Sequence, residues 1–164
     1  MKGIVVYGFA WRKNGDSPCN IVLAHAAKCI ADAEGGQVLI LAQRTTASIL
    51  KSLGVDCYVV GKGTGYEGSE QVTRQAVNLF SADESITEVI PVAQPVMQLV
   101  KCIALLRKEG FKTPSFLRLV KMIGWVGFDS QSVQPATRGP LRLAFYTLRQ
   151  ILFGYRPPVE QSEP

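Results

Sequence analysis

The chain has 164 residues, 47% of them apolar and 19% charged, with a formal net charge of +5. That length suits one domain, the apolar share can fill a core, and so little charge excludes a disordered chain. The lysines and arginines are scattered until the last quarter of the chain rather than striped between aromatics, so no nucleic-acid partner is expected.

Four cysteines occur, Cys19, Cys29, Cys57 and Cys102, with no C-x-x-C pair and no zinc-like spacing. No metal site is expected, and the thiols read as buried and reduced. Cys19, just before a helix start, also sits where a thiol pKa can fall. No apolar run reaches the length of a membrane span. The N-terminal run is too short for a signal peptide, so the expected compartment is the cytoplasm.

The first predicted strand is Gly3 to Gly8, short, β-branched and continuously apolar, as a strand buried on both faces reads. A polar loop with an Asn14–Gly15 turn follows. The first helix is predicted over Asn20 to Ala33, with Asn20 as N-cap and Gly35–Gly36 as its stop. The second strand is Gln37 to Leu41, and the second helix runs from Thr45 or Thr46 to Gly54. The third strand is Asp56 to Val60. A glycine-rich loop, Gly61 to Gly68, leads to a third helix capped by Ser69 and ending near Phe80.

The fourth strand is Glu88 to Val92, the fourth helix Gln94 to Glu109, and the fifth strand Ser115 to Val120. Residues 121–140 carry no clear periodicity, and a last helix runs from Pro140 to Phe153. Strands that alternate with helices must be parallel, because each helix returns the chain to the same end of the sheet. The fold class expected is α/β: a three-layer Rossmann-like domain over 1–156, with a mostly parallel five-stranded sheet and a flexible tail at 157–164.

Open parallel sheets bind ligands beyond the carboxyl ends of their strands, at the switch point. That rule selects Gly8 and Arg12 after strand one, Arg44 after strand two, the loop 61–69 after strand three, and Gln94 after strand four. The loop holds Gly63-Thr64-Gly65-Tyr66-Glu67-Gly68, a G-x-G-x-x-G that opens a helix. It follows the third strand rather than the first, and no acidic residue ends the next strand. A Walker A loop is absent, because Asp56 stands where its first glycine belongs. Three readings stay open: a plain connection, an anion-holding loop with Lys62 as a point charge, and a dinucleotide site.

His25, the only histidine, falls mid-helix, away from this edge, so no catalytic triad is expected. The last helix carries Leu141, Phe145, Leu148 and Leu152 on one stripe, with Arg142, Arg149 and Arg156 beside it. Such a helix packs on its own domain or lies on an anionic membrane, a contact that would run through 141–156. The stretch MIGWVGF, Met122 to Phe128, is either core or an interaction surface.

The segments IVVYG, YEGSEQVTRQAV, VIPVAQPVMQLVKCIALLRKEGF and RLAFYTLRQILFGYRP together resemble the YdcF/SanA-like family of domains of unknown function. The resemblance implies a Rossmann-like fold that binds a nucleotide-like small molecule, S-adenosylmethionine among them, with links to the cell envelope. Of the family's helix start after strand three, Ser69 and Ala76 match, and Gln71 and Gln75 keep an amide. Val72 and Arg74 replace a threonine and a glutamate. The family's histidine and arginine after strand four fall at Val96 or Met97 and at Leu99 or Val100. Its Ser-Gly turn after strand two is Ala42-Gln43. These departures imply a different ligand, or a scaffold without catalysis. The residues expected to bind are Gly8, Arg12, Arg44, Lys62, Gly63, Glu67, Ser69, Gln71 and Gln94.

Overall fold

In a computed structural model, the structure describes residues 1–60, 68–96 and 98–153. Its elements are β1 (Lys2–Val6), α1 (Pro18–Ala33), β2 (Val38–Gln43), α2 (Arg44–Ser52), β3 (Tyr58–Val60), α3 (Ser69–Phe80), β4 (Glu88–Val92), α4 (Gln98–Lys108), α5 (Phe116–Ile123) and α6 (Pro140–Phe153). A 3-10 turn, Pro135–Thr137, precedes α6.

The four strands form one parallel sheet in the order β3-β2-β1-β4. The chain moves outward from β1 to β3, then crosses back to β4 on the other side of β1. α1 and α2 pack together, and so do α3 and α4. Right-handed crossovers place these two pairs on opposite faces of the sheet. Ile4, Val5 and Val6 of β1 are wholly buried, because β1 has strands on both sides and helices on both faces. Gly3 of β1 lies against Phe80 of α3, whose ring stands 2.9 Å from where a Cβ would be.

Among the described residues the sheet has four strands, not five. The segment expected as a fifth strand is α5. Ser115 caps it by accepting from the Arg118 amide, Leu119 and Ile123 are buried four residues apart, and Gly124 ends it at φ 76°. That spacing is helical, and the Ser-Phe-Leu-Arg-Leu-Val string shows it once the cap is recognised. What remains of a fifth strand is one bridge, Glu88 to Lys112, with Val89 N donating to Lys112 O at 2.8 Å and Lys112 N to Thr87 O at 3.0 Å. Pro114 follows at once. α5 packs against α1, α4 and β4, so it covers the edge where a further strand would pair. As an outer strand β4 also tolerates Pro91.

Several element bounds also shift: β1 ends at Val6 rather than Gly8, β2 runs to Gln43 rather than Leu41, α2 covers Arg44–Ser52, and β3 begins at Tyr58 rather than Asp56. α1 begins at Pro18 with Ser17 as its N-cap residue, and Asn20 is buried inside the first turn. α3 begins with Ser69 as its first residue and Gly68 as the cap, whose amide donates to the Gln71 side chain at 3.0 Å. α4 starts at Gln98, not Gln94. α6 has the expected bounds. Of the cysteines, Cys19 and Cys102 are buried, Cys57 is half-buried and Cys29 is exposed. Among the described residues, no helix is long and apolar enough to cross a membrane.

The candidate site at the carboxyl edge

The switch point lies between β1 and β4. There Tyr7 N donates to Val92 O at 2.9 Å, carrying the ladder one residue past β1. At Gly8 the backbone is held from both sides. Its amide donates to Gln43 Oε1 at 2.8 Å, and its carbonyl accepts from Gln98 Nε2 at 3.0 Å. Gln98 Oε1 accepts in turn from Gln94 N at 3.2 Å, and Gln94 Oε1 accepts from Val96 N at 3.0 Å. The side chains of Gln43 and Gln98 thus tie together the carboxyl ends of β2, β1 and β4.

Gly8 has a packing reason to be glycine. A Cβ there would meet Thr45 Oγ1 at 2.6 Å and Gln43 Oε1 at 3.3 Å. Gln94 is wholly buried and lies within the protein rather than on an open wall.

The loop beyond Gly8 is pinned just as firmly. Buried Asn20 accepts from Phe9 N at 2.9 Å and donates to Ala10 O at 2.6 Å. Trp11 meets the far end of the chain: its amide donates to Ser132 Oγ at 3.3 Å, and its carbonyl accepts from Val133 N at 2.7 Å. Thr137 Oγ1 donates to Ser132 Oγ at 2.7 Å. Arg12 grips Asp129 with two parallel bonds of 2.7 Å, from Nε and from Nη2. The hydrogen bond from Arg12 is the main reason the Asp129 carboxyl is held down to about 2. Phe9 and Phe128 close the seam edge to face, 5.9 Å between ring centres.

On the α3 side, Tyr7 reaches 2.8 Å from Thr73 Oγ1, and Thr73 Oγ1 donates to Ser69 O at 2.7 Å. The Thr73 proton is committed there, so the Tyr7 hydroxyl donates to Thr73. Cys102 lies against Tyr7 and Ser69, and burial pushes its thiol up to about 12. Burial likewise raises the Tyr7 hydroxyl and the Cys19 and Cys57 thiols. Cys19 is therefore not activated by its place in the first turn of α1; its Sγ donates to Gly127 O at 3.3 Å. Glu70 is lowered by Lys101, 2.9 Å away, an ion pair that joins α3 to α4.

The expected binding residues therefore divide into four groups. Gly8 and Gln94 come together at the switch point, Arg12 lies further along the loop against Asp129, and all three are engaged in internal bonds. Arg44, exposed, opens α2 at the end of β2. Ser69, half-buried, and Gln71, exposed, open α3. Lys62, Gly63 and Glu67 lie outside the described residues. His25 is exposed on α1. Among the described residues, no three His, Cys, Asp or Glu side chains cluster as metal ligands do.

Sequence reasoning missed Asn20 as a loop anchor and missed Gln98, Asp129 and Ser132 altogether. The Asp-Ser-Gln-Ser string signals a turn, but its partner lies more than a hundred residues away. Comparison with family models, with curated proteins and with solved structures returns no match.

Proposed function

We propose that the chain is a YdcF-like domain of the cytoplasm that binds a nucleotide-like or other anionic small molecule at the carboxyl edge of its sheet. The observation that carries this reading is the adjacency of β2 and β3. Their carboxyl ends lead to Arg44 and Thr45 on one side and to the glycine loop and Ser69 on the other. The internal bonds at the switch point move the expected ligand toward this side, away from Arg12 and Gln94. Arg44 and Lys62 would supply charge, the loop amides and Ser69 would supply donors, and Gln71 would keep the α3 terminus in shape. S-adenosylmethionine and nucleotides are the ligands to try first.

The test is a thermal-shift screen against nucleotides, S-adenosylmethionine, S-adenosylhomocysteine and sugar phosphates. A ligand at about 100 times its Kd stabilises by about 2.7 kcal/mol. The reading expects a shift that disappears in Lys62→Ala with Ser69→Ala. A flat response across the panel overturns it.

A second reading makes the domain a non-catalytic interaction module. Trp125 favours it, at 77% exposed between buried Ile123 and Val126. Dimerisation or partner capture that Trp125→Ala abolishes, with the fold intact, is the result this reading requires.

A further inference from the structure

Among its described side chains, α6 carries an apolar stripe that points outward. Leu141, Phe145 and Leu148 are 85%, 68% and 54% exposed, while Leu143 and Tyr146 are only half-buried on the inner side. At 100° per residue, positions 141, 145 and 148 share one narrow stripe. The helix is attached at its start. α6 packs on the 3-10 turn Pro135–Thr137, where the Thr137 carbonyl accepts from Asp129 N at 3.0 Å and its hydroxyl donates to Ser132 Oγ at 2.7 Å, and Asp129 and Ser132 in turn hold Arg12 and Trp11 of the loop after β1. The base of the helix is thus bonded to the loop after β1.

The charges decide what covers it. From Ser130 to Val159 the sequence contains Arg138, Arg142, Arg149 and Arg156 and no Asp, Glu or Lys. Arg142 and Arg149 are both exposed, border the apolar stripe along one side, and have no carboxylate partner among the described residues. A partner protein or a second copy of this chain would have to bring carboxylates to that border. An anionic bilayer offers both requirements at once: acyl chains for leucine and phenylalanine, and phosphate or carboxylate headgroups for arginine.

We infer that α6 is a membrane-surface helix, lying in the interface of an anionic leaflet with Leu141, Phe145 and Leu148 inserted and Arg142 and Arg149 among the headgroups. The inference is independent of the small-molecule reading. It also sets the orientation of the domain. α6 is fastened through residues 129–137 to the loop after β1, so the carboxyl edge of the sheet is the end nearer the attachment.

The experiment is co-sedimentation of the full chain with vesicles of phosphatidylcholine alone and with about one third phosphatidylserine. Binding is expected on the anionic vesicles and not on the neutral ones, and it weakens with salt. Arg142→Gln and Arg149→Gln each lower it about fivefold, and Phe145→Ser removes most of it. All three positions are exposed, so an unchanged melting temperature shows that the fold persists. Failure to bind anionic vesicles, equal binding to neutral ones, or a wild-type dimer that Phe145→Ser makes monomeric would each overturn the inference.

Discussion

Arg12 and Asp129 meet through two hydrogen bonds of 2.7 Å, although 117 positions separate them in the chain. The carboxylate has no exposed surface, and the guanidinium keeps about a quarter of its own. The pair clamps the loop after β1 to the segment that leads into α6.

The clamp has a pH signature. Arg12 lowers the Asp129 carboxyl from 3.8 to about 2. A lowered carboxylate gives stability above its unfolded value and loses it as pH falls through the folded one. Acid unfolding should therefore show a contribution on the order of 2 kcal/mol that fades between about pH 4 and pH 2. Asp129→Asn should lack it, and the melting curves of the two proteins should converge toward pH 2. Asp129→Ala should cost about 2–3 kcal/mol at neutral pH. Arg12→Ala should lower the melting temperature more than Arg12→Ala with Asp129→Asn, because the double change leaves no buried charge unpaired.

Asn20 uses both ends of its amide, one accepting from Phe9 N and one donating to Ala10 O. Asn20→Asp places an acceptor against the Ala10 carbonyl and a charge in a buried position. The expected loss is larger than that of Asn20→Ala, which orphans backbone groups at about 1–3 kcal/mol each. Urea melts of the two variants decide the order. Equal losses would show that the Ala10 bond is unimportant.

Gly8→Ala should destabilise the fold through its contact with Thr45 Oγ1. Removing that oxygen in Thr45→Ala should restore much of the loss, so the double variant should be more stable than Gly8→Ala alone. This cycle separates a packing role for Gly8 from a ligand role, since it needs no ligand at all.

The thiols should sort by environment. At pH 8 a thiol with a pKa of about 12 is ionised in about one molecule in ten thousand, so Cys102 should resist a disulfide reagent until the protein unfolds. Cys29 is exposed and should react first. Cys29→Ser should remove the fast phase. If the fast phase persists, one of the remaining three thiols carries it.

The alternation of short apolar strands with helices made the sheet, its direction and the order of most elements legible in the sequence. Gly35, Gly54 and Gly110 marked helix ends through the positive φ they adopt. The error at residues 115–120 came from reading an apolar string by composition when Ser115 and the spacing of Leu119 and Ile123 carried a helix. The candidate edge was legible as a set of loops, since the switch-point rule follows from topology. The bonds across that edge were not. Gln43, Gln98 and Asp129 are ordinary polar residues in the sequence, and only the folded chain brings their partners within reach. Asn20 resembled a cap because capping and loop anchoring use the same side-chain amide. The outward apolar stripe of α6 was visible as a pattern, but periodicity alone does not say which face meets the domain.

The bonds between Trp11 and Val133 and between Arg12 and Asp129 also fix an order of assembly. At synthesis rates of about 5–20 residues per second, the partners of this loop emerge about 6–23 s after it does. Until then β1, β2 and β3 can pair, yet the loop beyond β1 has only Asn20 to hold it. A ribosome stalled before residue 129 would carry a sheet whose carboxyl edge is still open, and protease should cut it between Ala10 and Ser17. Released full-length chain should resist the same cut.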